Sequence, residues 1–333
     1  MVYFRLGRRP QDGLHDLVRR HVRRPPIDLL REPHLSRSTQ GATLLGLIAI
    51  LFWSTSVGVT RSTIEFLGRT GAPAVMFTLS ALLLLPTRSA LRELPRRYLW
   101  LGAALFVGYE LCFVLALGFA RTRHEAIEVG MVNYLWPSLT VLCSAIAGGQ
   151  RLNALMLGGL ALAFTGVVTA SSPPEGLSLA RFFHNAASNP LAYGLAFVGA
   201  IVWALYSTCT RYMAEGRNAL WFFMALSAAG FWVVHALNPE RTPMQASMHV
   251  VIQVALASTA VTLAYTFWNL GVLRGNIHLL GLAANGTPVM SALFASLLLS
   301  APLPPIFWGG AALVALGSLV AGIGARRAAR RAD

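Results

Sequence analysis

Residues 124–140 read His124-Glu125-Ala126-Ile127-Glu128-Val129-Gly130-Met131-Val132-Asn133-Tyr134-Leu135-Trp136-Pro137-Ser138-Leu139-Thr140. The stretch has apolar neighbours on both sides, yet it places Asn133, Tyr134 and Trp136 directly before Pro137. A proline inside an apolar helix offers no N–H to the carbonyl four residues back, here that of Asn133. In hydrocarbon such a carbonyl costs on the order of several kcal/mol unless protein, water or a ligand satisfies it. Breaks of this kind are tolerated where they face a cavity. Pro288 repeats the defect in the second half of the chain, so both prolines are candidate hinges.

Outward from this stretch the chain is lipophilic. Of its 333 residues 55% are apolar and 12% charged, too few charges for an ordinary soluble domain. Several windows are nearly charge-free over about 20 residues, the length that crosses a bilayer core of roughly 30 Å. The composition predicts an all-α integral membrane protein. A net charge of +14 would suggest nucleic acid in a soluble chain, but here it reads as a membrane face, and no nucleic-acid partner is expected. All 27 basic residues are Arg, which excludes Lys-based Schiff-base chemistry.

Ten spans are predicted, at 41–64, 73–91, 98–119, 126–147, 154–172, 190–213, 219–237, 249–272, 277–299 and 306–325. Residues 1–40 read as a basic cytoplasmic tail with nine arginines and no apolar run, so the first span acts as its own insertion signal. The loop 173–189, with Pro173-Pro174-Glu175-Gly176, separates a first five-helix repeat (41–172) from a second (190–325). Residues 326–333 form a basic cytoplasmic C-terminal tail. With the N-terminus inside, the cytoplasmic segments hold 21 arginines and the opposite side 6, so both termini are predicted to be cytoplasmic.

The halves repeat one another. A shift of 150 carries Trp53, Thr60, Arg61 and Glu65 onto Trp203, Thr210, Arg211 and Glu215. A shift of 151 carries Arg123, Gly130, Pro137 and Leu142 onto Arg274, Gly281, Pro288 and Leu293. Without a gap, it also carries Gly158, Gly159, Ala161, Leu162 and Gly166 onto Gly309, Gly310, Ala312, Leu313 and Gly317. With five spans per half, the second enters the membrane inverted, an architecture that argues for alternating access.

Spans one and six share a stripe at helical spacing: Trp53, Ser56, Val57 and Thr60 against Trp203, Tyr206, Ser207 and Thr210. Both tryptophans fall mid-span, where an interfacial aromatic belt does not account for them; cavity lining and helix packing both do. Span three adds Tyr109 and Glu110, and span eight adds Tyr265, Trp268 and Asn269. An intramembrane carboxylate is functional by default, although Glu110 or Glu128 could instead pair with Arg121 or Arg123. His278, near a span end, reads as a packing residue.

Enzyme signatures are missing. No Asp occurs between Asp28 and Asp333, and no Walker sequence or Gly-x-Ser-x-Gly elbow is present. His124-Glu125-Ala126-Ile127-Glu128 lacks the second His of a zinc helix. Cys112, Cys143 and Cys209 show no Cys-x-x-Cys spacing. Neither a metal nor a cofactor is expected. An intramembrane lipid-modifying enzyme is the reading from a different class, and the absent catalytic pairs argue against it.

Ten spans as two inverted halves resemble the drug/metabolite transporter superfamily with its EamA-type repeats. That family carries a Pro in the fourth span of each repeat, matched by Pro137 and Pro288. It then carries a Gly-Glu-Arg-Leu-like turn, which here reads Gly149-Gln150-Arg151-Leu152 and Ser300-Ala301-Pro302-Leu303 and lacks the Glu. A narrower resemblance, to the YddG-type aromatic amino acid exporters, rests on 43–54, 124–140, 264–276 and 297–303 and extends over 41–325. It implies a multi-pass protein of the bacterial inner membrane that exports Phe, Tyr and Trp, with other hydrophobic amino acids or toxic compounds as further substrates. It also implies a cavity between spans one to four and six to nine. Rings such as Trp53, Tyr134, Trp203 and Trp268 suit that substrate. Asn133, Asn269, Asn285 and the carbonyls freed by the prolines are candidates for its ammonium group. A cationic drug, nucleoside or polyamine is the alternative within the fold, and a strongly cationic substrate would favour more carboxylates than Glu110 and Glu128 supply.

Overall fold

Short polar side chains set many of the helix starts. Thr122, Asn153, Ser178, Asn189 and Ser247 each accept a hydrogen bond from the backbone N–H three residues on. The computed structural model describes residues 37–214, 219–239 and 247–332. Its helices are α1 (Arg37–Leu67), α2 (Gly71–Leu83), α3 (Arg96–Phe119), α4 (Arg123–Asn133), α5 (Trp136–Ala147), α6 (Ala154–Ala170) and α7 (Leu179–Ser188). There follow α8 (Pro190–Met213), α9 (Leu220–Leu237), α10 (Met248–Arg274), α11 (Ile277–Ala284), α12 (Thr287–Leu298) and α13 (Pro305–Ala332). Leu85–Glu93 is a 3-10 helix, and no strand occurs among the described residues. Most of the N-terminal tail, Glu215 and the His278 side chain lie outside the described residues.

Seven helical segments are long and apolar enough to cross a membrane, with α4 and α5 counted together, and α2, α6 and α12 are shorter apolar helices. Single leucines such as Leu44, Leu51, Leu256 and Leu297 stand exposed, as lipid-facing positions do.

Three expectations are corrected. The second span does not run to 91: α2 stops at Leu83, because Pro86 cannot donate to the carbonyl of Leu82 and its ring crowds it, so the chain tightens into a 3-10 helix. The linker 173–189 is not all loop, since it contains α7, which buries Phe182 against Phe164 and Tyr193. The two prolines sit in no continuous helix. The chain breaks at Tyr134–Leu135 and at Asn285–Gly286, and Pro137 and Pro288 occupy the first turn of the helix that follows, where an N–H has no intrahelical partner in any case.

The helices alternate in direction between two ends. The upper end carries the α1–α2 turn, the ends of α3, α9 and α12 and the starts of α4, α8 and α10, tied by bonds such as Gln253 Nε2 to Ser62 Oγ (2.6 Å) and Thr70 Oγ1 with His235 Nδ1 (2.9 Å). The lower end carries the starts of α3 and α9 and the α10–α11 turn, where the N–H of Asn276 donates to Thr43 Oγ1 (2.8 Å).

The repeat register reappears as paired contacts. A Cβ on Gly159 would lie 2.6 Å from the Gly317 carbonyl, and one on Gly317 would lie 2.5 Å from the Gly159 carbonyl. Gly166 and Gly310 stand in the same relation at 2.6 Å each way. The 151-residue shift exchanges these two contacts, so α6 and α13 meet backbone to backbone about a pseudo-twofold axis. Small residues permit that approach within a bilayer, where packing rather than hydrophobicity joins helices. The two repeat turns also match. Gln150 N–H donates to the Ala145 carbonyl (2.8 Å) and Ala301 N–H to the Ser296 carbonyl (2.9 Å), with left-handed φ at Gly149 (69°) and at its mate Ser300 (49°).

Gly166→Ala and Gly317→Ala should therefore lower the melting temperature in detergent, by the equivalent of about 1–3 kcal/mol of overpacking. Gly158→Ala and Gly309→Ala, where a Cβ meets nothing within 4 Å, should leave it unchanged. Equal melting of all four variants would show that α6 and α13 do not rely on this contact.

Candidate functional site

Trp53 of α1 and Trp203 of α8 are repeat mates, and their rings meet edge to face at 6.5 Å. Around them the helices bring together Tyr265 at 5.5 Å from Trp53, Tyr109 at 4.4 Å from Trp203 and Trp136 at 6.1 Å from Trp203. Tyr109 in turn stacks on Phe113, one turn along α3, at 5.7 Å and 6°. Edge-to-face and offset pairs of this kind contribute about 0.5–1.5 kcal/mol each beyond burial.

These rings wall a cavity of about 70 Å³ that extends from the Trp pair towards the upper end. That is room for only a few waters, so a larger molecule enters only when the walls part. The lining joins both repeats: Trp53, Ser56 and Thr60 from α1, Tyr109 and Glu110 from α3, Trp203 from α8, Tyr265 from α10 and Thr287 from α12. Asn133, Tyr134 and Trp136 line it at the α4–α5 break. Below the tryptophans the interior is filled: Tyr98, Phe106 and Phe223 are no more than 1% exposed, and Phe106 stacks on Phe223 at 5.5 Å.

Glu110 is the one carboxylate in the lining, and it is 4% exposed. Tyr265 of the other repeat donates its hydroxyl to Glu110 Oε1 at 2.6 Å. No basic residue shares the lining, so a cation arriving there would find an unneutralised partner. Asn133 donates its amide to the Ala196 carbonyl of α8 (3.2 Å), fixing the break against the second repeat.

Of the residues singled out in the sequence, Trp53, Tyr109, Glu110, Asn133, Tyr134, Trp136, Trp203 and Tyr265 line the cavity. Four do not. Tyr206 packs beneath Trp203 at 5.1 Å, and Trp268 packs behind Trp53 at 5.0 Å. Asn269 lies a turn past Tyr265 towards the lower end. Asn285 closes the end of α11, donating to the Gly281 carbonyl (2.9 Å) and accepting from Ser318 Oγ of α13 (2.7 Å). The alternative in which Glu110 or Glu128 pairs with Arg121 or Arg123 is not what the structure shows. Glu128 accepts from the Tyr193 hydroxyl (2.7 Å) and Asn185 (3.3 Å), Arg123 binds Glu65, and Arg121 donates to the Ser188 carbonyl.

Sequence reasoning missed Pro73, Met76 and Phe77 of α2, a helix whose polar residues Thr78 and Ser80 lie outside the lining. Phe113, Val114 and Val261 were within reach, since each lies one helical turn from Tyr109, Glu110 or Tyr265. Thr287 was legible too: the 151-residue shift places it on Trp136.

The EamA-like transporter family model matches this chain twice, over residues 40–172 and 190–323. A protein of Salmonella typhimurium named "Aromatic amino acid exporter YddG" is 44% identical over 292 residues, 87% of this chain and 99% of the relative. Its namesake in Escherichia coli K12 is 44% identical over 290 residues, 86% and 99%. The one in Ancylobacter novellus is 31% identical over 273 residues, 78% and 88%. A solved crystal structure, 28% identical, superposes with a TM-score of 0.61 and covers 86% of this chain and 98% of that one. Matched in both of its halves, the chain belongs to the EamA-like transporter family.

Proposed function

We propose that this protein is a secondary transporter that exports aromatic amino acids (Phe, Tyr and Trp) by alternating access across a bacterial inner membrane. In this reading it has ten spans in two inverted five-helix repeats, 41–172 and 190–325, with both termini cytoplasmic. The observation that carries the reading is a ring-walled cavity at the interface of the repeats with a single buried carboxylate. Trp53, Tyr109, Tyr134, Trp136, Trp203 and Tyr265 offer faces and edges to an aromatic side chain. Glu110 receives the ammonium group, and the α4–α5 break lines the same cavity. Relatives covered almost end to end carry the name of aromatic amino acid exporters, which supports the same substrate class. A polyvalent cation fits less well, because Glu110 is the one acidic residue lining the cavity.

Counterflow of labelled tryptophan in proteoliposomes, with lysine and a sugar as controls, tests the activity directly. Trp53→Ala and Trp203→Ala should weaken aromatic substrates by about 2- to 13-fold per lost ring pair, and leucine or methionine less. An equal loss for all substrates would assign these rings to packing alone.

Topology follows from the arginine distribution. Tags at both ends should be accessible only from the cytoplasm, and a cysteine placed in 173–178 should react only from the other side. The reverse result would refute the inverted arrangement.

Pro137 and Pro288 are proposed as hinges. Because each follows a true break, alanine there permits the two half-helices to join, with the new N–H facing Asn133 or Ala284. Pro137→Ala and Pro288→Ala should bind tryptophan but exchange it slowly. Wild-type exchange rates in both well-folded variants would remove the hinges from the mechanism.

A further inference from the structure

The two ends of the molecule, related by the repeat, are not in the same state. At the upper end α4 packs against α1, α3, α8 and α12. A Cβ on Gly130 would meet Val57 at 3.0 Å, and Met131 is 2% exposed. Their mates at the lower end, Gly281 and Leu282 of α11, stand free: a Cβ on Gly281 meets nothing within 4 Å, and Leu282 is 50% exposed. At the upper end α4 is covered on this face, whereas at the lower end the matching face of α11 is uncovered, although Leu280 still packs that helix against Gly46 and Gly271.

The arginines follow the same division. Arg123, at the start of α4, forms a bidentate pair with Glu65 (Nε to Oε1 3.0 Å, Nη2 to Oε2 2.6 Å). Its Nη1 donates at 2.8 Å to the carbonyl of Leu299, the residue that ends α12 of the other repeat. Arg61, ion-paired with Glu65 at 3.4 Å, donates to the Leu117 and Ala120 carbonyls at the end of α3 (2.9 and 2.8 Å). Both guanidinium groups thus close helix C-termini, where unpaired carbonyls and the helix dipole favour a cation. At the lower end the mate of Arg123 is Arg274, and the mate of Leu299 is Gly148, which ends α5. Arg274 is exposed and makes no hydrogen bond or ion pair with any described residue, and Gly148 is exposed. Arg211, the mate of Arg61, is exposed and lies over the Tyr212 ring at 5.9 Å.

We propose that Arg123 and Arg274 are alternating latches: Arg123 caps the end of α12 while the upper end is closed, and Arg274 caps the end of α5 while the lower end is closed. The proposal rests on the alternating-access reading. Arg123 opens α4, and Arg274 ends α10 just before α11, so each stands at the entry to one broken span and joins it to the last turn of the other, tying one repeat to the other at one end only. Making one cap requires the partner helices to part at the opposite end, which couples the two gates.

The test uses a background with Cys112, Cys143 and Cys209 replaced by alanine and a reporter Thr60→Cys in the upper half of the cavity. A membrane-impermeant maleimide is applied to proteoliposomes from the upper side. Arg123→Gln should raise the labelling rate by about tenfold, the population shift expected for one charge-assisted hydrogen bond, and Arg274→Gln should lower it. Shifts in the same direction, or none in variants that elute and melt like the parent, would overturn the proposal. If either variant fails to fold, Gly148→Cys paired with Arg274→Cys gives a second reading. Oxidation should join them and arrest tryptophan counterflow, and an active protein that never cross-links would overturn the latch. A parent without tryptophan counterflow, yet with opposite labelling shifts, would sink the substrate reading and leave the latch standing.

Discussion

The close approach of α6 and α13 about the pseudo-twofold axis is made twice, once by each repeat, and in hydrocarbon it has to be made without help from water. This constraint orders the molecule. The glycines that let α6 and α13 touch come as two exchangeable pairs, Gly159 with Gly317 and Gly166 with Gly310, because one close approach demands its mate. The turns after α5 and α12 show the same demand winning over residue preference. Ser300 holds a left-handed φ that Gly149 adopts without strain, and the backbone bonds around the two are the same.

The same constraint explains where irregular backbone occurs. The breaks at 134–135 and 285–286 interrupt helices where free carbonyls and N–H groups are costly. The first is buried, and the second is partly buried. The first is held by Asn133 on the Ala196 carbonyl, and the second by Asn285 on the Gly281 carbonyl and Ser318. Two asparagines that look alike in the sequence therefore do different work. One stays at the cavity because its span is packed on the second repeat, and the other turns back to close its own helix.

Legibility in the sequence followed periodicity and register. The lipophilic segments, the inverted repeat and the mid-span tryptophans could be read because they depend on composition, on a constant offset or on helical spacing. The end of α2 could have been read at Pro86, since one proline was enough to stop the helix. The presence of α7 was hidden inside a segment whose Pro-Pro-Glu-Gly start suggests a loop, although Ser178 and the apolar Phe182 and Phe183 mark a helix. Asn285 and Trp268 illustrate what sequence cannot rank: both lie on spans with residues in the cavity lining, and only tertiary packing decides that one faces α13 and the other packs on Trp53. The contribution of α2 was hidden for the opposite reason, since an apolar residue that lines a cavity has the same appearance as one that faces lipid.

Symmetry also has a limit, and it falls at the chemistry. Within the cavity the repeat keeps Trp53 against Trp203, but it sets Trp136 against Thr287, and most of the lining comes from the first repeat. The carboxyl group is not repeated. Offsets of 150 and 151 place Ala260 and Val261 opposite Glu110, so one half supplies a carboxylate and the other supplies apolar surface. Tyr265 crosses from the second repeat to bond Glu110 and so fixes the carboxylate within the ring cluster. A molecule with an aromatic end and a cationic end would meet rings from both repeats but only one carboxyl group. In the proposed transport the Trp53–Trp203 pair suits movement between two states related by the pseudo-twofold axis, and the single carboxyl group would give the substrate one orientation in both.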